Sequence, residues 1–276
     1  MAVYKLVEGE RRSIVGEFEF DLPVETVWAA LTDPNQIANW FCFRARVEGK
    51  VGGEIEFDWK PFFDFNWIDN ISVWEPNKRL TFVPKPETLS KDKSIAYTCD
   101  FVIKSDKGKT TLRMVQSGFT TAAKWDDEFD SFFGGWTYEL YSLSHYLTYH
   151  YGKKRSMLKT STMFDSAESE KPYERIVHAE GLFEGKTLSE LKVGGRYKVK
   201  LSDKDTIEGV VVQAQPHGMD QFAGTVENWN NGLFRIGSGS KFCFTWLALY
   251  DYKDQDVVHL EPLLKKKFEQ ALAVTA

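Results

Sequence analysis

The sequence predicts an α+β protein in which one plan is used twice: an antiparallel meander of strands closed by an amphipathic helix, with the second copy truncated. Three observations carry this expectation. Between residues 53 and 118, short segments alternate apolar and polar side chains with period two and are separated by tight turns, as strands that pair antiparallel do. Beyond them, Trp125, Phe129, Phe132, Phe133, Trp136, Leu140, Leu143 and Leu147 recur at spacings of three and four, a helical stripe. Lys50-Val51-Gly52-Gly53 is then echoed by Lys192-Val193-Gly194-Gly195, each followed by an alternating strand and later by a closing helix, the mark of an internal repeat.

Element by element, Ile14, Gly16, Phe18 and Phe20 share one parity against Val15, Glu17, Glu19 and Asp21, an opening strand. Pro23 suits the first turn of a helix on which Val24, Val27, Trp28 and Leu31 fall at helical spacing. Asp33-Pro34 ends it and starts a second short helix running to Trp40. After the Gly52-Gly53 turn, Ile55, Phe57 and Trp59 alternate with Glu54, Glu56 and Asp58. A run from Ile68 to Trp74, a turn at Glu75-Pro76-Asn77, Leu80 with Phe82, and the set Tyr97, Cys99, Phe101 and Ile103 follow. Lys107-Gly108 turns the chain, and Leu112, Met114 and Gln116 share a face. The long helix spans residues 124–150. Gly134 and Gly135 inside it cost about 1 kcal/mol each relative to alanine. Each large apolar side chain buried returns roughly 1.5–3 kcal/mol, so the stripe prevails and the glycines serve a bend or a close approach.

These elements divide the chain into a first domain at 1–152, a Lys- and Ser-rich linker at 153–172 and a second domain at 173–276. The second carries strand-like runs at Tyr197 to Leu201, Ile207 to Gln213, Phe222 to Val226, Gly232 to Ile236 and Phe242 to Tyr250. It closes with a helix bearing Val257, Leu260, Leu264, Phe268 and Leu272. The stretch before its glycine pair is far shorter than in the first copy. The second domain is therefore expected to lack the two short helices and to be the poorer ligand site.

Composition agrees with two soluble globular domains: 276 residues, 42% hydrophobic and 27% charged. A net charge of -5 argues against nucleic acid, which needs a concentrated basic face. Cys42, Cys99 and Cys243 are far apart, without metal-knuckle or disulfide-framework spacing. No apolar signal core opens the chain and no run is long enough to span a membrane, so a cytoplasmic location is expected. The distinctive quantity is a 15% aromatic share, with nine tryptophans and 21 phenylalanines, concentrated between Phe57 and Trp136.

The ordered set Pro23-Val24-Glu25-Thr26-Val27-Trp28-Ala29-Ala30-Leu31-Thr32-Asp33-Pro34, Trp40-Phe41, Gly52-Gly53, Glu75-Pro76-Asn77-Lys78-Arg79-Leu80 and Gly135-Trp136 resembles the START-like (SRPBCC) superfamily. Its branch is similar to the C-terminal domain of the activator of heat-shock-protein-90 ATPase. The resemblance covers residues 13–150 and is fainter over 173–276, where it rests on the repeat. It implies a helix-grip fold, a curved antiparallel sheet around a long C-terminal helix with a hollow between them. It also implies hydrophobic small-molecule binding, with enzymes and co-chaperones among its members.

With the stripe facing the sheet, the inward set is Phe57, Trp59, Leu80, Phe82, Tyr97, Phe101, Met114, Gln116, Phe129, Phe133 and Trp136. The segment from Trp59 to Trp67 adds Phe62, Phe63, Phe65 and Trp67 as a flap or hairpin over the mouth. Such rings line a ligand cavity or simply fill a core, and both remain open. Gln116 is the polar group expected inside, with Tyr97 and Tyr138 as further hydrogen-bonding groups. Asp58, Asp64 and Asp69 lie among the aromatic strands, where a desolvated carboxylate acts as a base, although alternation points Asp58 outward. Asp126, Asp127 and Glu128 suit the helix dipole better than a metal. His145 and His150, five apart, are not expected on one helical face. No nucleophile elbow, zinc helix, Walker loop or dinucleotide fingerprint is present, so no cofactor or metal is called for. The expected function is non-catalytic binding of a small hydrophobic or aromatic ligand. A stress-related co-chaperone with a chaperone partner, and a cyclase or hydrolase using a cavity carboxylate, are the alternatives.

Overall fold

The computed structural model describes residues 2–60, 66–85, 97–163, 172–214, 220–238 and 242–273. The chain forms two compact units, Met1–Gly152 and Lys153–Ala276.

The first unit runs β1 (Ala2–Glu8), β2 (Arg11–Phe20), α1 (Val24–Thr32), α2 (Pro34–Ile37), β3 (Arg44–Val47), β4 (Glu54–Asp58), β5 (Asn66–Glu75), β6 (Arg79–Pro84), β7 (Thr98–Asp106), β8 (Lys109–Thr120) and α3 (Asp126–His145). The strands make one antiparallel sheet in the order β1-β2-β8-β7-β6-β5-β4-β3. Residues Lys107 and Gly108 both take positive φ, 50° and 82°, the requirement of the tight turn that matches strand twist. Helix α3 continues through Gly134 and Gly135 without a break. Its close approach is made at the sheet instead. A Cβ on Gly16 of β2 would sit 2.6 Å from Leu140 Cδ1 of α3. Two buried hydrogen bonds hold the α1–α2 corner: within it Trp40 Nε1 donates to the Ala30 carbonyl at 2.8 Å, and from α3 Ser142 Oγ donates to the Trp40 carbonyl at 2.8 Å.

The second unit runs β9 (Arg155–Met163), α4 (Pro172–His178), β10 (Arg196–Lys200), β11 (Thr206–Ala214), β12 (Asp220–Val226), β13 (Gly232–Ser238), β14 (Phe242–Tyr250), α5 (Asp254–Val257) and α6 (Leu260–Ala273). Its sheet is ordered β10-β11-β12-β13-β14-β9. This repeats β4-β5-β6-β7-β8-β2, so β9 takes the place of β2. Residues 153–172, expected as a linker, are thereby corrected: Arg155–Met163 pairs antiparallel with β14 along its whole length. Leu158, opposite Leu247, is buried in the core, while Lys159 and Ser161 on the alternate parity gave the segment its linker-like composition. The expected loss of opening helices is also corrected, since α4 stands between β9 and β10. Among the described residues, the flanking strands β1 and β3 have no counterpart in this sheet. Leu260, Leu264, Phe268 and Leu272 of α6 lie in one core with Val199, Ile207, Phe234 and Leu247.

The glycine echo is a structural equivalence. Gly52 N donates to Ile71 O and Ile71 N to Gly53 O, both at 2.8 Å; Gly194 N donates to Val211 O and Val211 N to Gly195 O, both at 2.9 Å. Gly52 and Gly194 have φ of 79° and 83°, a conformation that favours glycine. With Ile71 matched to Val211, Asp69 of β5 corresponds to Gly209 of β11, and their cross-strand partners Ile55 and Tyr197 correspond too.

Candidate functional site

The face of the first sheet that α3 covers is built in rows. Ile71, Phe82, Cys99, Gln116 and Ile14 are successive cross-strand partners, as are Leu80, Phe101, Met114 and Gly16. Ile55 with Asp69 and Phe57 with Trp67 continue the face across β4 and β5. Partners directly opposite share a face of the sheet, so alternation fixes what points at the helix.

Rings from sheet and helix meet there in two groups. In one, Phe41 (beyond α2) lies 4.9 Å from Phe57, 5.0 Å from Trp59 and 5.8 Å from Trp136 between ring centroids, stacked on the last at 9°. Phe82 bridges Phe57 and Phe101, and Phe101 meets Trp136 edge-on at 6.2 Å. In the other, Phe132 of α3 contacts Trp67, Tyr97 and Phe119, and Phe119 also meets Phe129 at 4.9 Å. Offset and edge-on pairs of this kind contribute about 0.5–1.5 kcal/mol beyond area burial.

Few polar groups share this space. Trp136 Nε1 donates to Gln116 Oε1 at 2.8 Å, and the Tyr97 hydroxyl donates to a Glu128 carboxylate oxygen at the start of α3. Asp69 is the third. Its side chain is 2% exposed and accepts from Trp67 Nε1 at 2.8 Å. Burial pushes its carboxyl up to about 7, against a smaller opposing pull from the Trp67 N–H. The adjacent Cys99 thiol is pushed well up, first by burial and then by Asp69 and Asp100. Asp58 behaves oppositely. It points to the other face, where Lys60 N and the Arg44 guanidinium, 2.6 Å away, outweigh burial and hold it below its ordinary value.

Of the residues expected inward, Phe57, Trp59, Phe82, Tyr97, Phe101, Met114, Gln116 and Phe129 are buried in the first unit, and Trp136 is half-buried against them. Trp67 is half-buried at the edge, against Phe132. Phe133 is half-buried and packs against the same core as Phe132 and Trp136, with Lys5 Nζ of β1 4.9 Å from its ring centroid. Phe63, Phe65 and Asp64 lie outside the described residues. Phe41 and Phe132 were missing from the expected inward set. Phe132 could have been found from the stripe. Phe41 follows a helix end, where periodicity gives no facing.

The two histidines are a further correction. The turn at Tyr146–His150 winds as a π-helix, so a spacing of five closes one turn and brings the His145 and His150 rings to 5.3 Å. Asp126 pairs with Arg12 at 2.6 Å. Among the described residues no three His, Cys, Asp or Glu side chains group as metal ligands, and no helix is long and apolar enough to cross a membrane.

In the second unit the corresponding space is filled. Gly224 leaves room for the Tyr197 ring, which approaches the Gly224 Cβ position to 2.3 Å. Tyr197 donates its hydroxyl to the Thr225 carbonyl at 2.7 Å and packs on Phe183, Phe222 and Phe234.

Residues 21–148 match the profile of the family described as Activator of Hsp90 ATPase homolog 1-like protein. No curated protein matches the sequence significantly. Among solved structures, CalU16 from Micromonospora echinospora is 24% identical over 53% of this chain and 84% of its own, with a TM-score of 0.39. The Aha1 dimer from Colwellia psychrerythraea is 18% identical over 49% and 95%, with a TM-score of 0.42. DynU16, from the dynemicin biosynthetic locus, is 15% identical over 95% and 97%, with a TM-score of 0.40.

Proposed function

Since its first unit belongs to the Activator of Hsp90 ATPase homolog 1-like family, within the START-like superfamily, we propose that this protein binds a small hydrophobic or aromatic molecule between the sheet and α3 of that unit, without chemistry of its own. The observation that carries this reading is the contrast between the two copies of one fold. Where the second sets the Tyr197 ring against Gly224, with Gly209 as its cross-strand partner, the first places Ile55 opposite Asp69. Two ring groups on both walls, with Gln116 and Tyr97 as orienting polar groups, suit an apolar body with few hydrogen bonds.

The test is mass spectrometry of small molecules extracted from the purified full-length chain, with thermal shift and fluorescence titration of the neutral probe N-phenyl-1-naphthylamine. Binding is expected to raise Tm and to quench tryptophan emission, and Phe101→Trp, which enlarges a side chain between the walls, is expected to weaken it. A probe that changes neither signal, with no molecule co-purifying, would reject the reading. A chaperone partner is supported by the family match alone; pull-downs that recover no chaperone would count against it.

A further inference from the structure

We propose that Asp69 makes the space between sheet and helix a site for a protonated amine carried on an aromatic body. The inference rests on that space being a ligand site and goes further by naming the ligand's charge.

Asp69 is held on the covered face by its register opposite Ile55 and its parity with Trp67 and Ile71. Among the described residues its sole polar partner is Trp67 Nε1. The nearby cations serve other carboxylates: Arg44 pairs with Asp58, Lys85 with Glu54, and Arg46 with Glu48, Glu54 and Glu56. The titratable groups toward Asp69 on the covered face are Cys99 of β7, whose thiol it pushes up, and beyond it Tyr97, bonded to Glu128 of α3. None brings a positive charge.

A buried carboxylate without a counter-charge is costly unless one is supplied. The fold does not require this one, because the second unit builds the same strand pair with Gly209 at the matching position. Stability would favour a residue without charge, so a carboxylate there points to a task. The neighbours indicate which. Trp67 bonds to Asp69, while Phe57 and Phe82 occupy diagonal positions on the adjacent strands, within reach of a group docked on the carboxylate. An ammonium is attracted by ring faces as well as by a carboxylate, whereas an anion would meet the Asp69 charge unshielded.

The experiment uses three probes of one shape: 2-(1-naphthyl)ethylammonium, 1-ethylnaphthalene and 1-naphthylacetate. Each is titrated calorimetrically against the full chain at pH 8, with Asp69→Asn and, as an outer-face control, Asp58→Asn. The parent should prefer the cation over the neutral probe by roughly tenfold or more, with the anion weakest. Asp69→Asn should abolish the preference while holding affinity for the neutral probe within about twofold, and Asp58→Asn should change neither. In the parent alone, the preference should shrink as pH falls from 8 to 6 and Asp69 takes up its proton, which keeps the test valid if the variant misfolds. Equal affinity for cation and neutral probe, or a preference that survives Asp69→Asn, overturns the inference and leaves the hydrophobic site standing. No binding of any probe overturns both.

Discussion

At the scale of single residues, the pairing of Asp69 with Gly209 shows one backbone position put to opposite uses. Burial lifts the Asp69 carboxyl from 3.8 to about 7. In that interval the unfolded chain has lost the proton and the folded chain keeps it. Folding therefore takes up a proton, and stability falls as pH rises through the window by about 1.4 kcal/mol per unit; above it the penalty is constant. Asp69→Asn removes the penalty and can still accept from Trp67. Urea titrations should show its gain over the parent to be larger at pH 8 than at pH 5 by about 2–3 kcal/mol; an equal gain at both would contradict the assignment. At Gly209 the matching Cβ would lie 2.0 Å from the Thr225 carbonyl oxygen, a backbone atom with no room to yield. Gly209→Ala should destabilise by roughly 1–3 kcal/mol in the same assay. The importance of Asp69 was only half legible. It shares parity with Trp67 and Ile71, yet the bulge between Ile71 and Val73 shifts the phase within the run, so the apolar residues Ile68, Ile71, Val73 and Trp74 reveal no inward side.

Among elements, the strands that a helix covers were readable and the ones at the edge were not. One-sided burial imposes period two on β2, β4, β7 and β8, and their sequences show it. Strand β1 is mostly exposed and carries apolar residues on both parities, so no period-two pattern records that it pairs with β2 through seven residues. The long helix was legible as a stripe, but not its π-wound end, because a spacing of five reads as two faces on regular helical geometry. How the α1–α2 corner closes over the rings was hidden too, as it depends on hydrogen bonds rather than apolar spacing. Ser142 Oγ holds the Trp40 carbonyl in a buried setting. Ser142→Ala leaves that carbonyl without this donor and should cost about 1–2 kcal/mol. If the corner seats Phe41 against Trp136, the variant should also weaken binding of the neutral naphthalene probe. Unchanged stability would mean that the bond contributes nothing to closing the site.

For the whole molecule, the glycine echo made duplication legible, because φ near 80° at the first glycine and crowding at the second leave few other residues able to make that turn. The boundary between the copies was misread for a physical reason: β9 exposes Lys159 less than it buries Leu158, but composition weighs both alike. The assignment makes opposite predictions for a linker and a strand. In a linker, Leu158→Ala would be nearly silent. As a core strand residue opposite Leu247, it should cost about 2–5 kcal/mol through lost burial and the cavity left behind. Hydrogen exchange should locate the damage: amides of β13 and β14 should lose protection, since β14 would lose its neighbour on one side. A variant that melts like the parent, with β14 amides as slow as before, would return residues 155–163 to the role of a connector. The second unit would then lack the strand that makes its sheet a counterpart of the first.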